Sequence, residues 1–122
     1  AILYLISGDC FSRMHRLPTE EIFHFYMGDP VEMLQLYPDG TGKIVRMGQD
    51  LLHGEEVQTT VHRGTWQGTR LVPGGSWALL GTSMAPGMEH HDYEDGDREQ
   101  LIRQYPQFRE LLEYLAGSPV YE

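Results

Sequence analysis

Basic charge is what this chain is shortest of: nine Lys+Arg, with Lys43 the only lysine, stand against eighteen Asp+Glu, for a formal net charge of -9. The arginines, from Arg13 and Arg16 to Arg103 and Arg109, are spread along the sequence. No basic stripe is therefore available to neutralise a phosphate backbone, and nucleic acid is not an expected partner. Cysteine is nearly as scarce. Cys10 alone cannot close an intramolecular disulfide and has no CxxC partner, which fits a reducing, cytoplasmic setting. Long apolar runs are missing too. The opening Ile2–Ile6 run is stopped by Ser7-Gly8-Asp9, far short of the ~20 residues that cross a membrane as a helix, so it reads as a strand and no membrane partner is expected. GxSxG, P-loop, GxGxxG and HExxH patterns are all absent, and Gly40-Thr41-Gly42 is a turn with no helix behind it. The first residue is Ala1, already inside an apolar strand pattern, so an upstream segment is expected in the natural protein.

What the sequence does have is short strands. Ile2–Ile6, Cys10–Arg16, Glu21–Met27, Val31–Tyr37, Lys43–Met47, Val57–His62, Thr65–Val72 and Ser76–Met84 are separated by Gly, Pro and Asp clusters. Eight strands with no helix between them exclude a parallel sheet, whose crossovers need a dozen residues or more. They predict an all-β antiparallel sandwich or barrel. The Leu51-Leu52 pair in the long loop is expected to tuck inward. From Asp97 the composition changes: Asp97-Arg98-Glu99-Gln100 reads as an N-cap with a capping-box Gln, and Leu101, Tyr105, Phe108, Leu111, Leu112 and Leu115 recur at helical spacing. Pro106 is placed to start a second helix. The helical tail, about 97–115, is expected to lie across the outside of the barrel. With no repeat and no low-complexity tract, residues 1–122 read as one domain.

Ionisable groups concentrate between Ser12 and Pro30. His15, Glu20, Glu21 and His24 are the residue types that bind Zn, Fe, Mn or Ni. Strand parity limits the set. Glu21, Phe23 and Phe25 share one face, while Glu20, Ile22, His24 and Tyr26 share the other. Glu21 and His24 thus compete for the interior unless a bulge intervenes. Equally open is a plainer reading, two half-buried strand histidines bonded to neighbouring carboxylates. A second constellation, Val61-His62-Arg63-Gly64-Thr65-Trp66-Gln67, places Trp66 or Gln67 at a barrel mouth, or else is a hairpin with a packed Trp. Glu89-His90-His91-Asp92 reads as a solvated loop, because adjacent side chains on an extended chain diverge.

These residues carry a resemblance. Gly8, Glu21 and Gly28 fall on the frame of the first cupin motif, with six residues between Glu21 and Gly28. The two motif histidines fall on Met14 and Arg16, with His15 between them, and the third falls on Gln67. Phe11-Ser12-Arg13-Met14-His15-Arg16, Glu21 to Pro30, Gly64-Thr65-Trp66-Gln67 and Met84-Ala85-Pro86-Gly87 resemble the DUF985 (cupin_5) family, which has no settled activity. The resemblance implies a cupin-type double-stranded jelly-roll barrel with a C-terminal helical segment, a homodimer and a small-molecule site inside the barrel. Arg13-Met14-His15 is also similar to a segment of the metal-free dTDP-sugar epimerases. The leading expectation for such a site has His15 as acid/base, Glu21 as its orienting or second proton-transfer group, and Arg13 or Arg16 for an anionic group, with His24, Trp66 and Gln67 contacting ligand. Two other outcomes stay open: a metal enzyme with a divalent Zn, Fe, Mn or Ni ion on His15, Glu21, His24 or Gln67, and a binding barrel with no chemistry.

Overall fold

Period-two alternation folds the chain into two facing antiparallel sheets. The computed structural model describes residues 2–7, 11–85 and 94–116. Its strands are β1 (Ile2–Ser7), β2 (Ser12–Arg16), β3 (Glu20–Gly28), β4 (Val31–Leu36), β5 (Gly42–Met47), β6 (Gln58–Val61), β7 (Trp66–Leu71), β8 (Trp77–Ala85) and β9 (Glu94–Asp95). One sheet runs β1-β8-β3-β6 and the other β5-β4-β7-β2-β9. This is the jelly-roll barrel implied by the resemblance. Between the sheets lies a core drawn from both: Ile6, Phe23, Phe25 and Leu80 from the first, and Val31, Met33, Val45, Met47 and Leu71 from the second.

A second core lies on the outside of the five-stranded sheet. Helix α1 (Arg98–Gln104), a 3-10 turn over Pro106–Phe108 and helix α2 (Arg109–Leu115) lay Leu101, Tyr105, Leu111, Leu112 and Leu115 against Met14, Leu34 and Leu36. Strand β4 is consequently buried on both faces, which its run Val31-Glu32-Met33-Leu34-Gln35-Leu36 allows. The helices approach β7 closely at Gly68. A Cβ there would lie 2.6 Å from Met14 Sδ and 3.3 Å from Leu115 Cδ1, so a bare backbone is what fits. The Tyr105 hydroxyl donates to the Tyr37 carbonyl at 2.6 Å and Gln107 Nε2 to the Gly40 carbonyl at 3.1 Å, tying the tail to the end of β4. Asp97 occupies the N-cap position of α1, but its side chain makes no capping hydrogen bond, so the predicted capping box is not formed.

Two further expectations change. Leu51 and Leu52 do not tuck inward: they are 61% and 96% exposed on a 3-10 turn. The loop is anchored by a buried carboxylate instead. Glu55 Oε1 accepts from the Asp50 amide at 3.0 Å, and Oε2 pairs with Arg46 Nε at 3.0 Å. A ninth strand, β9, also pairs with β2, beyond the eight that were expected. Cys10 and the His90-His91 pair lie outside the described residues. Among the described residues no helix is long and apolar enough to cross a membrane.

Candidate functional site

The site is made by parity. Along β3, Glu21, Phe23 and Phe25 are buried while Glu20, Ile22 and Tyr26 are exposed, so Glu21 enters the barrel. His24 does not. It lies on the outer face, stacked on Tyr26 with ring centroids 6.3 Å apart, and the expectation that it joins His15 as a ligand is corrected by the regular alternation of the strand.

Strand β2 breaks its own alternation. Ser12 pairs with Thr69 and His15 with Gln67: three steps on β2 against two on β7, which is a β-bulge. The extra residue exchanges the faces beyond it. Met14 turns outward into the helical core, and His15 turns inward to a position only 8% exposed. This one-residue shift is why His15, and not Met14 or Arg16, reaches the interior.

Pairing then aligns the inward side chains. His15 on β2 is level with Gln67 on β7, and Gln67 with Gln35 on β4. From the opposite sheet, Glu21 accepts a hydrogen bond from Gln67 Nε2 on Oε1 and one from the Thr82 hydroxyl at 3.3 Å on Oε2. Gln67 thus links the histidine strand to the carboxylate. Burial pushes the Glu21 pKa above the usual carboxylate value, and the donors Gln67 and Thr82 offset only part of that. His15 goes the other way. Burial lowers its pKa, opposed in part by the Arg13 carbonyl and by Asp95. Its Nδ1 lies 2.7 Å from the Arg13 carbonyl oxygen; since a carbonyl only accepts, Nδ1 carries the proton and the neutral ring has its lone pair on Nε2. Burial thus works against charge on both groups, lowering the pKa of the imidazole and raising that of the carboxyl. These are the directions in which a general base and a general acid are tuned.

Arg13 contributes through its backbone, at the bulge that orients His15. Arg16 and Trp66, expected to contact a ligand in the barrel, are on the outward side of the same strands. The Arg16 guanidinium lies 4.4 Å over the Trp66 ring and holds both oxygens of Glu94, the shorter contact at 2.8 Å. With Asp39, Gln104 and Tyr105 they line an outer cleft of about 400 Å³. Gln35, Thr69 and Thr82 are interior polar residues the sequence reading passed over. Gln35 carried a signal, as the one amide in the otherwise apolar row Met33-Leu34-Gln35-Leu36.

A cupin frame implies a metal on three histidines and a glutamate, and the residues here do not fit it. Two of the histidine positions, Met14 and Arg16, face outward, and the third is Gln67, whose amide nitrogen is turned to Glu21. With His24 on the far face of β3, the set His15, Glu21, His24 and Gln67 is not brought together. Among the described residues no group of three or more His, Cys, Asp or Glu is gathered into a metal site.

Comparison with solved structures bears on the fold. A crystal structure of a Shewanella oneidensis protein is 27% identical over 96% of this chain and 73% of its own, with a TM-score of 0.86. A hypothetical protein from Leishmania major is 24% identical over 95% and 74%, also at 0.86. A dTDP sugar isomerase from Desulfovibrio desulfuricans superposes with a TM-score of 0.70 at 14% identity, over 96% and 74%. A comparison with curated proteins yields no match. The family model described as Cupin superfamily (DUF985) matches residues 1–95, and with the two-sheet barrel in place the chain belongs to that family.

Proposed function

We propose that the barrel interior is an acid/base site for a small carbonyl-bearing molecule of the sugar type. The observation that carries this reading is the buried row in which Gln67 is paired with His15 and bonded to Glu21. Such a row suits proton transfer at a carbon next to a carbonyl. Nε2 of His15 takes the proton, and the C–H pair becomes the C=C of an enol. The carbonyl π pair moves to oxygen, which takes the proton of Glu21. Return of a proton to the same carbon on its other face, with the enol O–H proton handed back to Glu21, gives an epimer; return to the neighbouring carbon, with a hydroxyl on the first carbon losing its proton to Glu21 as it becomes C=O, gives an isomer. Gln67 and Thr82 hold the carboxyl in place through this exchange. Likeness of fold to the dTDP sugar isomerase supports the substrate class, and the side chains support the chemistry.

The test is deuterium uptake by a dTDP-linked keto sugar in D2O, read by mass spectrometry. His15→Gln and Glu21→Gln are each expected to slow uptake about 10²–10⁴-fold, the usual worth of a general acid or base. Uptake as fast in both variants as in the wild type would rule the reading out.

A further inference from the structure

In the His15–Gln67–Gln35 row and the next one along the strands, two polar groups lack what burial normally demands. Thr69 is 1% exposed, and its hydroxyl has no hydrogen-bond partner among the described residues. Gln35 is 2% exposed. Its Oε1 accepts from the Tyr37 hydroxyl at 3.1 Å, which leaves the amide nitrogen against Met33 Sδ at 3.5 Å, a weak acceptor for a group with two N–H donors. Both groups border one residue, since Met33 is the cross-strand partner of Thr69.

Their placement is specific. Gln35 pairs with Gln67, two residues before Thr69 on β7, so Gln35 and Thr69 are diagonal neighbours on adjacent strands, roughly 7–8 Å apart. No hydrogen bond joins the two, since the Thr69 hydroxyl has no partner among the described residues, and both can turn to one oxygen atom brought between them. Nothing in the packing requires a hydroxyl at position 69. Valine has nearly the same shape and would bury no polar atom, whereas an unpaired buried hydroxyl is destabilising. A polar group retained against that cost beside the proposed acid/base residues calls for a partner, and an oxygen of a bound molecule would supply one.

We infer that Gln35 Nε2 and Thr69 Oγ1 form an oxygen-binding subsite for the substrate of the His15–Glu21 site. This deepens the proposed function and rests on it. The reacting carbon lies at the His15–Gln67–Glu21 level, and a second, non-reacting hydroxyl or carbonyl oxygen of the same molecule reaches between this row and the next, accepting from Gln35 and exchanging a hydrogen bond with Thr69. The part of the substrate that enters the barrel is thereby selected as a polyoxygenated carbon chain or ring; a simple monocarbonyl compound would leave the subsite unfilled.

Two readouts on Thr69→Val, Thr69→Ser and Gln35→Met test it. Without ligand, Thr69→Val is expected to melt at or above the wild-type temperature, because an unpaired hydroxyl is removed at constant shape. A fall of more than about 4 °C, the size of a lost structural hydrogen bond, would show that the hydroxyl is already used by the fold and would overturn the inference. With a dTDP-linked keto sugar as probe, Thr69→Val and Gln35→Met should each weaken binding about fivefold, and Thr69→Ser should restore wild-type affinity. Unchanged affinity in Thr69→Val would also overturn it. The two proposals fail separately: loss of deuterium uptake in His15→Gln with unchanged binding in Thr69→Val removes the subsite and leaves the acid/base site. A wild type that binds no sugar removes the acid/base reading, and the melting of Thr69→Val still decides whether position 69 is a vacant contact.

Discussion

Replacing Gln67 by Met keeps the length of the side chain and removes the amide that Glu21 depends on. Both residues are almost wholly buried, at 1% and 4% exposure, so water cannot take over the lost bond. Glu21 would be left with Thr82 at 3.3 Å as its remaining donor. A hydrogen bond to a charged group is worth about 1.5–3 kcal/mol, so Gln67→Met should cost about 2–3 kcal/mol wherever Glu21 is ionised in the fold. In urea, at a slope of about 2 kcal/mol/M, that moves the unfolding midpoint by roughly 1 M. The pH dependence carries the diagnosis. The folded pKa of Glu21 is already raised, and losing Gln67 raises it further. A raised folded pKa means that the native state binds more protons than the unfolded chain, so stability is lost as pH climbs past the unfolded value near 4.5. The gap between wild type and variant should therefore widen with rising pH and shrink to about 1 kcal/mol in acid. Urea unfolding at a series of pH values measures it, with Glu21→Gln as a second variant in which the widening disappears. A pH-independent gap, or no gap, would show that Gln67 does not support Glu21.

His15 should leave the opposite trace. Its folded pKa is lowered, so as pH falls through 6.5 the unfolded chain binds a proton that the native state refuses, and stability drops; unfolding of His15→Gln across pH 7.5 to 5 should lack this component, and parallel curves would place the imidazole in solvent. On the outer layer, Gly68→Ala must displace Met14 or Leu115 and should lose about 1–3 kcal/mol by overpacking. A melting temperature equal to the wild type would show that the helices do not pack on β7 as described.

Strand parity was legible from residue types alone, and it did most of the work. It separates Glu21 from His24 because apolar neighbours Phe23 and Phe25 mark the inner face of β3, and the burial follows that pattern. The helical tail was legible for the same reason, its leucines recurring at a period no strand supports. The inward turn of His15 was not. It depends on one extra residue in β2 relative to β7, and a bulge leaves no mark in composition, only a frame that slips by one, as the cupin motif did here. Trp66 and Gln67 were left undecided because the start of β7 sets their parity, and nothing short of the pairing with β2 and β4 fixes that start. Leu51 and Leu52 misled because a single buried carboxylate, Glu55, outweighs two leucines when it can bond both an arginine and a backbone amide.

The most direct measurement is a crystal structure of the protein soaked with a dTDP-linked keto sugar. A site inside the barrel predicts the carbon next to the carbonyl within about 3.5 Å of His15 Nε2, the distance of a reacting pair, with Glu21 on the carbonyl oxygen. Sugar density confined to the outer cleft against Trp66 and Arg16, with the interior row untouched, would contradict it.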